Sequence, residues 1–349
     1  MLFLLILLAS SCLFAQTGNL LDSIRTTIDR GAYRNIDAIV ISQRGKIVYE
    51  QYFNGYTKDS LHDTRSAFKS VTGLLTGIAI EKGFIKSVQE KVYPFFPEYK
   101  SYKNPDSRKG KMTIQHLLEM RSGYNCEEWN STIDCEDEME GSADWVKFSL
   151  DLPMLQEPGT AWSYMSSNAM ILGGIIAHAS KMPIDQFAGK YLFAPLGIRH
   201  YRWTKDPAGQ GATAGSFYIL PGDMVKIGEL VLNKGLWQGK RVVSEKWIDE
   251  ATQRITQIEN FSNVKISGAK EAIPQPTWYG YTWYNEEVRT EKTTHNIVFA
   301  SGNGGQYIMV IKDLGLVIVF TGNSYGSAKS KLPFEVLIRY VLPYFDTKR

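Results

Sequence analysis

Ser66 and Lys69 stand three positions apart at the head of a run, 66–82, whose apolar residues Phe68, Val71, Leu74, Leu75 and Ile78 recur at steps of three and four. That period predicts a helix on which hydroxyl and amine share a face. A serine hydroxyl becomes a nucleophile when a neighbouring base takes its proton, and a helix N-terminus favours the negative charge that then develops. A lysine serves as that base when burial disfavours its ammonium form and lowers its pKa. Ser-x-x-Lys alone equally describes a solvated helix start with a surface lysine. The rest of the run separates the two: Phe68 and the glycine-bearing apolar stretch 73–80 imply a helix buried on most sides, so a lysine in its first turn needs a reason to be there.

Other candidates carry less chemistry. Gly322 to Gly326 spell Gly-x-Ser-x-Gly around Ser324, the nucleophile elbow of a different hydrolase class, but no histidine follows Ser324 and the stretch reads as a turn after a strand. The five histidines, His62, His116, His178, His200 and His295, lack metal-ligand spacing and are expected to be packing or surface residues. Neither a metal nor another cofactor is called for. Lys plus Arg total 39 against 36 Asp plus Glu, with no dense basic block, which argues against nucleic acid as a partner.

Residues 1–14 are almost wholly apolar or small, too short a run to span a bilayer, and resemble the core of a signal peptide cut after Ala15. Lipid modification of Cys12, preceded by Leu8, Ala9, Ser10 and Ser11, is the alternative. Either route exports the chain, to the periplasm or beyond, as a secreted or lipid-anchored protein. In that oxidising setting Cys126 and Cys135, nine positions apart, are expected to pair in a local disulfide rather than remain free thiols. The acidic stretch 134–140 beside them is expected to be a solvated loop, with a substrate-gating insertion as the alternative.

The elements that must position Ser66 and Lys69 come from the whole chain. Residues 38–54 carry two β-branched runs around Arg44 and Gly45, a hairpin pattern. Similar strands return only in 279–284, 296–300, 307–311 and 316–321. Between them helical periodicity dominates, over 66–82, 114–120, 143–150, 169–179, 184–191 and 223–233, and 333–344 predicts a closing helix against the sheet. The expectation is an α+β fold in a single domain, 16–349. Its antiparallel sheet is drawn from both chain ends, about 20–60 and 275–349, with flanking helices, and is split by a mostly helical insertion, about 61–270.

The run from Ser66 to Gly83 resembles the active-site helix of the β-lactamase-related serine hydrolases. That superfamily includes class C β-lactamases, penicillin-binding DD-peptidases, β-lactamase-fold esterases and 6-aminohexanoate-dimer hydrolases. Stretches 113–123, 158–173, 193–198 and 221–237 fit in the same order, so the resemblance covers nearly the whole chain after residue 15. It implies that Tyr164, in a Tyr-x-Ser form with Ser166 where the family often has Asn, helps shuttle protons. An alternative register takes Ser166 and Asn168 as a Ser-x-Asn element; the Leu172 and Gly173 spacing favours Tyr164. The resemblance further assigns Gly302 to Gln306 to the strand beside the site. Asn303 stands there for the usual Lys or His, Gly304 and Gly305 border the substrate with Ser166, and the N–H groups of Ser66 and Gln306 form the oxyanion hole.

These parts imply an exported serine hydrolase that forms an acyl-enzyme on Ser66 and cleaves a small ester or amide, with Lys69 and Tyr164 relaying protons. Loss of the positive charge at position 303 disfavours a substrate carboxylate, hence a β-lactam or D-Ala-D-Ala substrate. Asn303 and Ser166 also keep open an acylating sensor or non-catalytic cell-wall binding module.

Overall fold

The computed structural model describes residues 20–126, 128–129 and 135–347. The expected signal segment, with Cys12, lies outside the described residues. The hairpin forms as β1 (Ile36–Gln43) and β2 (Lys46–Tyr52), turned at Arg44 and Gly45, both with positive φ. Four long strands follow near the other end of the chain: β3 (Tyr284–Thr290), β4 (Thr294–Gly302), β5 (Gln306–Ile311) and β6 (Leu316–Gly322). The antiparallel order β2-β1-β6-β5-β4-β3 joins the two ends through β1 and β6, with Val40 opposite Val319. Short strands Thr277–Tyr279 and Thr256–Gln257 extend the β3 edge.

Strands β5 and β6 read as unbroken apolar runs because both their faces are buried. Ile39, Ile41, Tyr307, Met309, Ile318 and Phe320 point into one core, closed by Leu21, Ile24 and Ile28 of helix α1 (20–29) and by Phe334, Leu337 and Val341. Val40, Ile308, Val310, Val317 and Val319 point into the other, shared with helices α2 (Phe68–Glu81), α4 (Ser166–Ser180) and α5 (Pro221–Leu232). Alternation by two splits neighbouring residues between the cores.

Two expectations change. The run 279–284 is not one strand: the chain leaves the sheet at 280–283, where Thr282 has φ 62° and its N–H donates to the Leu118 carbonyl, tying the sheet to the helical part. The helices expected over 184–191 and 333–344 each contain a π-turn, Gly189–Phe193 and Leu337–Val341, two residues before Pro195 and Pro343. Proline cannot donate to the carbonyl one turn back, and the wider turn accommodates the missing bond.

Candidate active site

The nucleophile candidate sits on a constrained turn. Arg65 adopts φ 47°, costly for a residue with a Cβ, and is held there by its N–H bond to the Asp63 carboxylate at 2.9 Å. The 3-10 turn Arg65–Ala67 then runs directly into α2. Thr64 donates through both N–H and Oγ1 to the Phe217 carbonyl, so the segment around 213–217 lies across the start of α2.

Lys69, one turn on, is 1% exposed. Its Nζ donates to Ser66 Oγ at 2.8 Å and to the Ala214 carbonyl at 3.1 Å, and it interacts with Tyr164, whose ring centroid is 4.9 Å away. An ammonium has three protons to place, and three partners surround it. The sequence led to an amine neutralised by burial, and here the structure differs. Burial does press the Lys69 pKa down, but Tyr164, Glu136 and Glu128 press it up and prevail, so it lies above the ordinary lysine value.

The two carboxylates reach the site through a disulfide. Cys126 and Cys135 are bonded, Cα atoms 5.8 Å apart; Glu128 lies two residues after one, and Glu136 next to the other. Where it is described the acidic stretch is a helix rather than a loop: Cys135–Glu140 forms α3, whose Asp137, Glu138 and Glu140 are exposed while Glu136 accepts from Ser166 Oγ at 2.6 Å. Glu128 accepts from the Ser166 N–H and lies 3.0 Å from Ser166 Oγ. Burial, with Glu136 nearby, raises the Glu128 carboxyl to about 7 against the pull of Lys69. Trp129 stacks on Tyr164 with ring centroids 5.1 Å apart. In the alternative register, Asn168 is buried and its Nδ2 donates to Met120 Sδ.

A cavity of about 160 Å³ opens over Ser66, walled by Arg65, Glu136, Glu140, Gly215 and Asn303 among others. It corrects the reading of residues 302–306. Gly302 is the close-approach position: a Cβ there would lie 2.3 Å from the Thr64 carbonyl oxygen, so β4 ends hard against the Ser66 turn and Asn303 emerges into the cavity. Gln306 does not line it. It pairs with Gly302 across the hairpin, and its buried side chain bonds the Asn303 and Gly322 backbone. Gly304 and Gly305 turn the chain away from Ser66, against Tyr325 and Ser330. Ser166 meets the two glutamates rather than the cavity wall. The elbow candidate Ser324 is 4% exposed and bridges to Gly304.

With this geometry the β-lactamase family model matches residues 25–339. The chain is a member of the β-lactamase family. Relatives include a 6-aminohexanoate-dimer hydrolase of Paenarthrobacter ureafaciens, 25% identical over 229 residues, 61% of this chain and 56% of that protein. A β-lactamase of Escherichia coli (strain K12) is 25% identical over 151 residues, 43% of this chain and 37% of that protein. These matches span little more than half of the curated relatives, or less. In fold, the octameric penicillin-binding protein homologue from Pyrococcus abyssi superposes with TM-score 0.68 at 19% identity over 92% of this chain and 77% of the other. A mutant of simvastatin synthase from Aspergillus terreus gives 0.69 at 15% identity over 96% of this chain and 98% of the other.

Within this β-lactamase-family frame, the sequence brought Ser66, Lys69 and Tyr164 into one reading, and the structure brings them into contact range. It missed Glu128 altogether and left Glu136 in solvent. The available signal was the cysteine pair: closing a disulfide between 126 and 135 brings the backbone at 128 and 136 close, and both glutamates here meet Ser166.

Proposed function

We propose that this protein is an exported serine hydrolase that forms an acyl-enzyme on Ser66 and hydrolyses a small ester or amide. The 2.8 Å contact between Lys69 Nζ and Ser66 Oγ at the floor of the cavity carries the reading. Ser66 Oγ attacks the carbonyl carbon; its proton passes to Lys69 as Lys69 gives one to Tyr164, and Tyr164 gives its own to the leaving group. Charges and protons balance without a free amine at rest. The N–H groups of Ser66 and Asn303 face the developing oxyanion, Asn303 replacing Gln306 in that role because Asn303 stands on the cavity wall. Water then releases the acyl group. The name 6-aminohexanoate-dimer hydrolase, borne by one relative, supports a short amide as a substrate class, beside simple esters.

Ser66→Ala is expected to abolish both turnover of p-nitrophenyl acetate and covalent labelling by a fluorophosphonate. Labelling retained at another serine sinks the assignment. A second reading, acylation without release, is favoured by the pressure that holds Lys69 toward its ammonium form, which makes deacylation depend wholly on the Tyr164 relay. Time-resolved mass spectrometry separates the two: steady product means an enzyme, a burst that stops means a sensor.

A further inference from the structure

Ser166 Oγ lies 3.0 Å from Glu128 Oε2 and 2.6 Å from Glu136 Oε1, yet a hydroxyl carries one proton. With both carboxyls ionised, one of these contacts would be oxygen against oxygen with no hydrogen between. Both become hydrogen bonds when one carboxyl is protonated, Ser166 then donating to one and accepting from the other. Burial raises the Glu128 carboxyl, so Glu128 carries the proton on Oε2 while its Oε1 accepts the Ser166 N–H. The chain runs Glu128 Oε2–H to Ser166 Oγ–H to Glu136 Oε1.

We infer that Glu128 and Glu136 share one proton through the Ser166 hydroxyl, and that the negative charge left on this pair holds Lys69 as an ammonium and so sets the pH range of Ser66 acylation. The inference rests on the reading of Ser66 as nucleophile and Lys69 as its proton acceptor. The two glutamates are positioning residues: they act through Lys69, and neither is placed on the reacting atoms. The disulfide between Cys126 and Cys135 brings both onto the N-terminus of α4. The rise of the Glu128 carboxyl to about 7 agrees with the shared proton, as does the upward pressure that both glutamates put on Lys69. Among the described residues, the other groups facing the site do not remove this charge. Arg65 is engaged by Asp63 at 3.5 Å, Asp137 and Glu140 add further negative charge at the cavity wall, and burial pushes Tyr279 and Tyr284, around Tyr164, well above the ordinary phenol value.

The test compares wild type with Glu128→Gln and Glu136→Gln, both of which keep an acceptor of the same shape, in the full chain. The rate of fluorophosphonate labelling at Ser66 is followed from about pH 5 to pH 10. Fluoride leaves without needing the Tyr164 proton, so in this assay the relay has no final acceptor and the wild-type rate is expected to climb toward alkaline pH as Lys69 gives up its charge. Above about pH 7, where Glu128 has itself lost the shared proton, each variant removes one negative charge that acts on Lys69; the limb is expected to move by about one pH unit or more to lower pH, so each variant labels about tenfold faster than wild type near pH 8. A limb that stays in place while the rate merely falls overturns the inference and leaves the glutamates a structural role. A second readout does not depend on the variants folding: carboxyl carbon NMR of wild type is expected to show one glutamate titrating near 7, the value toward which burial raises Glu128. No such glutamate overturns the shared proton. Failure of the underlying reading looks different, since wild type then carries no label at Ser66 while the carboxyl titration persists.

Discussion

A methyl group at position 302 would lie 2.3 Å from the Thr64 carbonyl oxygen, 3.1 Å from the Ala67 nitrogen and 3.1 Å from the Gln306 Cβ. The first two are backbone atoms of the Ser66 turn and cannot swing aside. In Gly302→Ala the end of β4 and that turn must therefore part by about 0.7 Å before the closest contact reaches even 3.0 Å. Overpacking of this kind costs about 1–3 kcal/mol of stability. The separation opens between Ser66 and Asn303, the two residues assigned to the oxyanion. A misplacement near 1 Å costs about 10²-fold in rate, and loss of one oxyanion donor about 10²- to 10³-fold. We expect kcat/KM for p-nitrophenyl acetate to fall about 100-fold, roughly 2.7 kcal/mol of barrier, with a thermal midpoint several degrees lower. Gly110→Ala, whose added Cβ meets nothing within 4 Å, serves as the control and should change neither. If Gly302→Ala melts early but keeps kcat/KM within about threefold of wild type, the close approach serves packing alone and the oxyanion assignment is wrong.

Two further outcomes concern stability. Glu286, 0% exposed, accepts from Ser262 Oγ, the Asn263 N–H and amide, the Val264 N–H and Thr277 Oγ1; Glu286→Ala strands these buried donors and should cost about 3 kcal/mol or more, read from a urea midpoint at unchanged slope. A loss below about 1 kcal/mol would show that water replaces the carboxylate. His62, stacked on Tyr56 and held by burial at about 4, binds its proton more weakly folded than unfolded, so the stability it confers is whole above about pH 6.5 and drains away as pH falls toward 4. His62→Phe should abolish up to about 3 kcal/mol of that acid sensitivity in melts between pH 7 and 4, and an unchanged slope refutes the assignment to His62.

The strands and α2 were legible because their signals are local: period two in β1 and β2, unbroken apolar runs in β5 and β6, and three-and-four spacing from Phe68 onward. The split of 279–284 was not, because what breaks that strand is a bond from Thr282 to Leu118, far off in the sequence. Asn303 and Gln306 exchanged parts for a related reason. The glycines marked the hairpin, but which residue faces Ser66 depends on Gly302 meeting Thr64, a contact between distant segments. The charge of Lys69 was beyond reach in the same way, since it is set by two residues that only a disulfide brings near.

That charge decides how the Ser-x-x-Lys pair works. Burial alone can lower a lysine pKa by about 3–5 units, whereas one opposite charge within about 4–6 Å raises it by about 1–3. Two glutamates and a phenol beside Lys69 can match that penalty, and the three acceptors around Nζ hold the ammonium without an unpaired proton. In the proposed mechanism an amine so held cannot take the Ser66 proton until it has passed one on, which makes Tyr164 indispensable rather than auxiliary. The same motif with uncharged residues at 128 and 136 would present a freer amine and a different order of proton transfers. On the proposed mechanism the helical motif specifies where the proton moves, and the residues around the disulfide specify when it can.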